Sequence, residues 1–249
     1  MKISIELKKL IEMVDIAARF VSKTSTLPIL QNLYLKASID TLTLRATDME
    51  KYVEIEMPCT IALEGAITVN AKMFLDLLRA MEEETIEISV NAQSHQMQLR
   101  SAKDTFEING IPASEYVALP EVPQTNVVTL DTQNFLQGID HVEYTITEKN
   151  FSPVLTGVLM KTKTEDTGKK LVFVGTDSFR IAEFKITSAI DTDFSLIIPK
   201  VAINDVGAIT KFAIENEVPE MTMRFSENLI AFEYQIGDIK VVATTLLIQ

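Results

Sequence analysis

Apolar residues alternate with polar ones at the start of the chain, with Ile3, Ile5 and Leu7 each beside a polar neighbour. That period of two predicts a strand with one buried face. From Leu10 the spacing lengthens to three and four, through Ile11, Val14, Ala17 and Val21, which predicts an amphipathic helix. Three more alternating runs follow, at 33–37, at 42–46, and at Val53, Ile55 and Met57 with Glu54 and Glu56 between them. The order then restarts. Residues 67–69 form a strand pattern, Asn70 is placed to cap a helix, and Phe74, Leu77, Leu78 and Met81 form the helical stripe. Ile86/Ile88/Val90, Met97/Leu99 and Phe106/Ile108 supply three further strands. Each predicted helix has one strand before it and three after, a β-α-β-β-β unit.

The same order recurs in the second half. Residues 127–130 read as a strand, and Asp131 caps a helix carrying Phe135, Leu136, Ile139 and Val142 and reaching Tyr144. A fourth helix carries Ile203, Val206, Ile209 and Phe212. Recurring motifs mark the duplication. A strand ends in Thr47-Asp48 and another in Thr176-Asp177, an offset of 129 from Asp48 to Asp177. The strand entering Asn70-Ala71-Lys72 matches the one entering Pro199-Lys200-Val201 at the same offset, and Pro28-Ile29-Leu30 echoes Pro153-Val154-Leu155 at 125. A period this long is domain duplication and not a short solenoid repeat. The stretch 112–124, with Pro112, Pro120 and Pro123, reads as a linker. Two domains are expected, 1–122 and 123–249, each holding two copies of the unit. Strands that bury one face favour an α+β fold, with antiparallel sheets on one side and helix pairs on the other.

Composition narrows the chemistry. Hydrophobic residues make up 47% of the 249, enough for packed cores. No apolar run approaches the roughly 20 residues of a membrane span, and Met1-Lys2-Ile3-Ser4 leads into a strand without a signal-peptide pattern. Cys59 is the single cysteine, so the expected compartment is the reducing cytoplasm. With it and only His95 and His141, no soft-ligand metal site is expected, and no cofactor. A carboxylate-only site stays open on counting alone. A net charge of −12 opposes tight binding of a polyanion; that objection weakens for a protein that surrounds DNA without gripping it. Catalysis finds little support. The recurring Thr-Asp pairs suit strand-end turns whose Asp bonds local backbone. Asp140 and His141 are neighbours on a helix, about 100° apart. Cys59 follows Pro58 with no histidine close in sequence, and the 8 glycines form no phosphate loop.

Four runs carry a family resemblance: Thr26-Leu27-Pro28-Ile29-Leu30-Gln31-Asn32-Leu33, Pro153-Val154-Leu155-Thr156-Gly157-Val158, Thr176-Asp177-Ser178-Phe179-Arg180-Ile181-Ala182 and Ile198-Pro199-Lys200. In order and spacing they resemble the first two domains of bacterial DNA polymerase III β clamps. The resemblance implies a DNA-clamp fold, with sheets outside and helices on an inner concave face. It implies a non-enzymatic role: a ring that encircles double-stranded DNA without sequence preference and confers processivity on the replicative polymerase. Family subunits carry a third domain and close as a head-to-tail homodimer. This chain ends at Leu247-Ile248-Gln249 where that domain would continue, so a monomer or weak dimer is expected.

The resemblance also implies sites. A pocket for a short peptide motif is expected at Leu155, Thr176, Ser178, Phe179, Arg180 and Ile181. Its partners would be the polymerase III α subunit, the clamp-loader δ subunit and other proteins bearing the motif. DNA contacts are expected at Lys23, Thr24, Lys72, Arg79, Lys149 and Lys200, while the third helix carries Asp140 and Glu143 and no cation. Two alternatives remain at this point. A two-domain clamp of the eukaryotic and archaeal type, closing as a trimer, fits the length but not the motifs. An acidic enzyme with a carboxylate metal site would be stabilised strongly by one divalent ion in a thermal-shift screen.

Overall fold

The structure, a computed structural model, describes residues 1–147 and 152–249. In chain order the first copy runs β1 (Lys2–Glu6), α1 (Leu7–Ala17), β2 (Asn32–Ser38), β3 (Thr41–Thr47) and β4 (Lys51–Pro58). A short β5 (Thr60–Leu63) follows, which the periodicity did not predict because its positions are nearly all exposed and alternate with nothing. The second copy is β6 (Gly65–Asn70), α2 (Ala71–Arg79), β7 (Thr85–Asn91), β8 (Gln96–Arg100) and β9 (Thr105–Asn109). The third is β10 (Asn126–Asp131), α3 (Thr132–Asp140), β11 (Gly157–Glu165), β12 (Gly168–Thr176) and β13 (Ile181–Thr187). The fourth is β14 (Ser195–Pro199), α4 (Lys200–Glu215), β15 (Glu220–Phe225), β16 (Leu229–Ile236) and β17 (Ile239–Leu246). The chain divides into two compact units, Met1–Pro120 with Gly237–Val241 and Glu121–Ile236 with Val242–Gln249.

Inside each unit the two copies exchange their first strands. In the first unit β1 lies beside β7 in the order β5-β1-β7-β8-β9, while β6 lies beside β2 in the order β4-β3-β2-β6. The second unit repeats the exchange: β14 joins β11 in the order β13-β12-β11-β14, and β10 joins β15, with β16 next. All of these pairs are antiparallel. A single copy would leave its helix on a three-stranded sheet with open sides. Exchange lets two copies share one core, which is why the duplicated unit comes in pairs.

The cores follow the alternation. Leu33, Leu35, Leu42, Leu44, Val53 and Ile55 are fully buried, as are Ile88, Met97 and Leu99. In the second unit Phe135 of α3 meets Phe173 of β12 edge-on, with ring centres 6.1 Å apart, and Phe232 of β16 at 5.3 Å. Such pairs add about 0.5–1.5 kcal/mol beyond their area burial. Tyr234 and Thr210 are buried and share a 2.8 Å hydrogen bond that ties α4 to β16.

Helix ends and faces need corrections. α1 stops at Ala17, so Val21 lies beyond it, and Met13 and Ile16 take core places while Ile11 stays half-exposed. In α2 the buried face is Ala71, Phe74, Leu75 and Leu78, not Leu77. α3 ends at Asp140, short of Tyr144, which sits on a separate 3₁₀ turn Glu143–Thr145. The caps are as expected: the Asn70 side chain accepts from the Met73 N–H at 3.0 Å and Asp131 from the Asn134 N–H at 2.7 Å.

Candidate functional site

The two Thr-Asp motifs build the same hairpin turn. In the first unit the Thr47 hydroxyl donates to the Lys51 carbonyl at 2.9 Å, and the Met49 N–H donates back to Thr47 Oγ1 at 2.8 Å. One Asp48 oxygen accepts from the N–H groups of Glu50 and Lys51 at 3.0 and 2.9 Å. In the second unit Thr176 donates to the Arg180 carbonyl at 2.8 Å, and the Ser178 N–H reaches Thr176 Oγ1 at 3.3 Å. Asp177 accepts from the N–H groups of Phe179 and Arg180, both at 3.0 Å. Met49 and Ser178 occupy the left-handed region, with φ of 80° and 76°. A side chain there costs about 1–2 kcal/mol, which the local hydrogen bonds offset. Both acids are therefore occupied with their own backbone, as a turn requires.

The cation after each turn stacks on an aromatic ring from the segment that follows the first helix of its unit. Lys51 Nζ lies 5.3 Å from the Phe20 ring centre, and the Arg180 guanidinium 5.7 Å from that of Tyr144. In the first unit this arrangement is sealed. Lys51, Phe20 and Tyr52 are all buried, and the Lys51 ammonium donates to the Arg19 carbonyl at 2.7 Å. In the second unit it is open: Phe179 is 97% exposed, Ile181 71% and Tyr144 59%. Gly175 holds the Tyr144 turn in place, since a Cβ there would overlap the Thr145 hydroxyl and the Val142 carbonyl. Arg180 is half-exposed, and its Nε donates to Asp177 at 3.0 Å.

Thr176, Ser178, Phe179, Arg180 and Ile181 thus come together on the β12–β13 turn as an exposed apolar and cationic surface. Leu155 belongs to another element, half-buried on the 3₁₀ turn Pro153–Thr156 that enters β11, beside the 40% exposed Val154. Tyr144 is the member that sequence reasoning missed. The duplication gave no direct signal for it, because at the offset of 125 that relates Pro28 to Pro153 the place of Phe20 falls on Thr145, one residue past Tyr144.

The cations expected to meet DNA are dispersed. Lys23 and Thr24 are exposed in the turn after α1, and Lys72 is exposed in the first turn of α2. Arg79, the last residue of α2, pairs with Asp15 of α1. Lys200 begins α4 and donates to the Ile146 carbonyl at 2.7 Å. Lys149 lies outside the described residues. Across α1 to α4 there are six Lys or Arg and six Asp or Glu. The helices therefore carry no net charge, and the whole excess of −12 lies in strands, turns and loops. Among the described residues, no group of three or more His, Cys, Asp or Glu is placed to hold a metal ion, and no helix is long and apolar enough to cross a membrane. Burial and the nearby Asp40 push the Cys59 thiol up to about 11, which keeps it protonated and unreactive at neutral pH.

Comparison with known proteins agrees with this architecture. The beta sliding clamp of Bacillus subtilis is 26% identical over 261 residues, covering 100% of this chain and 68% of its own length. That of Streptomyces coelicolor is 30% identical over 182 residues, covering 73% of this chain and 46% of its own. The crystal structure of the DNA polymerase sliding clamp from Caulobacter crescentus superposes with a TM-score of 0.91 at 21% identity, covering 100% of this chain and 66% of that one. This chain thus spans about half to two thirds of the length of the proteins it resembles. Residues 1–120 match the family model of the DNA polymerase III beta subunit N-terminal domain, and residues 129–248 match that of its central domain. With nearly every residue inside one of these two matches, and with the fold they describe, the chain belongs to the DNA polymerase III beta subunit family.

Proposed function

We propose that the chain forms part of a cytoplasmic sliding clamp, a ring that surrounds duplex DNA, contacts it weakly and gives polymerases and a clamp loader a docking point. It performs no chemistry of its own. The observation that carries this reading is the contrast between two copies of one turn. In the first unit the tip of the turn is exposed but the cation Lys51 and the Tyr52 beside it are buried with Phe20, while the duplicate places Phe179, Ile181 and Tyr144 in solvent around Arg180. An apolar cluster left open where its twin is closed marks an interaction surface. Aromatic and arginine side chains are also the residues that carry binding energy most often. A short extended peptide fits: an aromatic or aliphatic residue covers the exposed rings, and the guanidinium meets a peptide carbonyl or carboxylate.

The six expected DNA-contact residues fit a weak, sequence-independent role. Lys23 and Lys72 offer exposed charge on two different elements of the first unit, Thr24 only a hydroxyl, and Lys149 is kept as a proposed contact from the sequence alone. Arg79 and Lys200 are already engaged within the protein. A few phosphate contacts give affinities of roughly 10⁻⁴ to 10⁻⁶ M at physiological salt, which permits sliding; enclosure supplies the retention. A head-to-tail dimer, as the resemblance implies, suits that enclosure better than a trimer of two-domain chains, because the two domains match the N-terminal and central domains of the DNA polymerase III beta subunit.

The docking surface is tested by titrating a fluorescent clamp-motif peptide into the protein. Arg180→Ala should weaken binding by about tenfold or more, the loss of a charge-assisted contact, with the circular dichroism spectrum unchanged. Equal affinity for the two proteins would remove the assignment.

A further inference from the structure

In three of the four copies the segment after the last strand folds back onto the first strand of its own copy. After β4, β5 pairs antiparallel with β1, with Ile61 opposite Ile3. After β9, Ile111 bridges Thr68 of β6 through hydrogen bonds of 2.9 and 3.0 Å. At the end of the fourth copy, Ile248 bridges Ile197 of β14. Each time an isoleucine closes the open edge of the first strand.

The third copy breaks this pattern. Its segment after β13 carries Ile190, which matches Ile61 at the offset of 129, and the corresponding position on β10 is Val128, three residues before the helix cap as Ile3 is. Yet β10 ends its sheet, with no strand on its outer side among the described residues. The segment is tied elsewhere: the Ser188 N–H donates to the Lys169 carbonyl at 3.0 Å, and Lys169 Nζ holds both the Asp191 carbonyl and, at 2.9 Å, the Asp193 carboxylate. Between β10 and this segment lies a cleft of about 480 Å³. Val127, Val128, Ile186 and Ile190 supply apolar wall; Asp131, Asp191 and Glu220 also line it, and no Lys or Arg does.

We infer that β10 is a strand-addition site for an extended peptide of a partner protein, running antiparallel to β10 with a branched aliphatic residue opposite Val128 and basic residues at its ends. The seat is the one β5 fills on β1. Backbone hydrogen bonds to the free edge would hold the strand, the aliphatic residue would fill the place of Ile61, and the three acids select positive flanks. The site is separate from the Phe179–Arg180 turn, so either can fail without the other.

The test uses the 249-residue protein and a blocked hexapeptide carrying the Thr-Ile-Ala-Leu sequence of β5 between two lysines. Fluorescence anisotropy should show saturable binding, weakened by about tenfold or more when glutamates replace the lysines. Hydrogen exchange should show new protection of the β10 amides in the complex. In Glu220→Lys the preference between the two peptides should shrink. No saturation up to millimolar peptide, or protection confined to other strands, would overturn the proposal. So would β10 amides already protected in the free protein, because the chain's own Ile190 segment would then occupy the seat.

Discussion

Asp177 shows what one side chain contributes to the exposed turn. Hydrogen bonding from the Phe179 N–H, followed by that from Arg180, holds its carboxyl below the ordinary 3.8. A carboxyl whose folded value is depressed stabilises the folded form above the ordinary value, and that stabilisation is lost as pH falls through the folded value. The turn is therefore expected to keep its geometry down to about pH 4. An NMR titration of the Asp177 side-chain carbon checks this: a midpoint below 3.8 is expected, and one at or above it would contradict the bonding. The Thr-Asp turn was legible in the sequence because it occurs twice, and a catalytic pair has no reason to recur at equivalent places in a duplicated fold. The partnership of Arg180 with Tyr144 was not legible. It joins segments far apart in the chain, and neither residue belongs to an apolar period.

At the level of elements, the alternation identified sixteen of the seventeen strands or placed them by duplication, and all four helices. β5 escaped because it bonds through its backbone at a sheet edge and buries little, so periodicity had nothing to register. The register of burial on α1 and α2 slipped by a residue or two for a related reason. A helix wedged against two sheets buries a face wider than a single stripe, and Met13 or Leu75 can serve where Ile11 or Leu77 was expected. Tight packing also explains Gly138 on α3, where an added Cβ would run into the Phe173 ring. Both sides of that contact are buried, so neither can yield cheaply. Gly138→Ala should cost about 1–3 kcal/mol, the usual range for overpacking a core. Urea unfolding monitored by circular dichroism measures it, and a stability equal to that of the parent would mean that α3 sits less closely on β12 than described.

For the molecule as a whole, charge distribution governs how DNA can be handled. A net −12 placed entirely outside the helices leaves helical surfaces that neither attract nor repel a duplex strongly. Such a surface is poor for gripping and suitable for passage, since sliding fails if each phosphate contact is tight. The net charge led only to the expectation that the protein does not grip DNA, and the balance of charge on the helices comes from the structure. Composition did not foretell that Arg79 would be paired with Asp15, or Lys200 with a backbone carbonyl, because those partners depend on packing between distant segments. The most direct measurement is an NMR titration of the 249-residue protein with a short linear duplex of about two helical turns, at low and at physiological salt. Weak binding, near 10⁻⁴ M or poorer at physiological salt, with amide shifts gathered at Lys23, Thr24 and Lys72, is the predicted result. Submicromolar binding to this open-ended duplex, or shifts gathered on the acidic strands, would show a protein that grips DNA and contradict enclosure as its means of holding on.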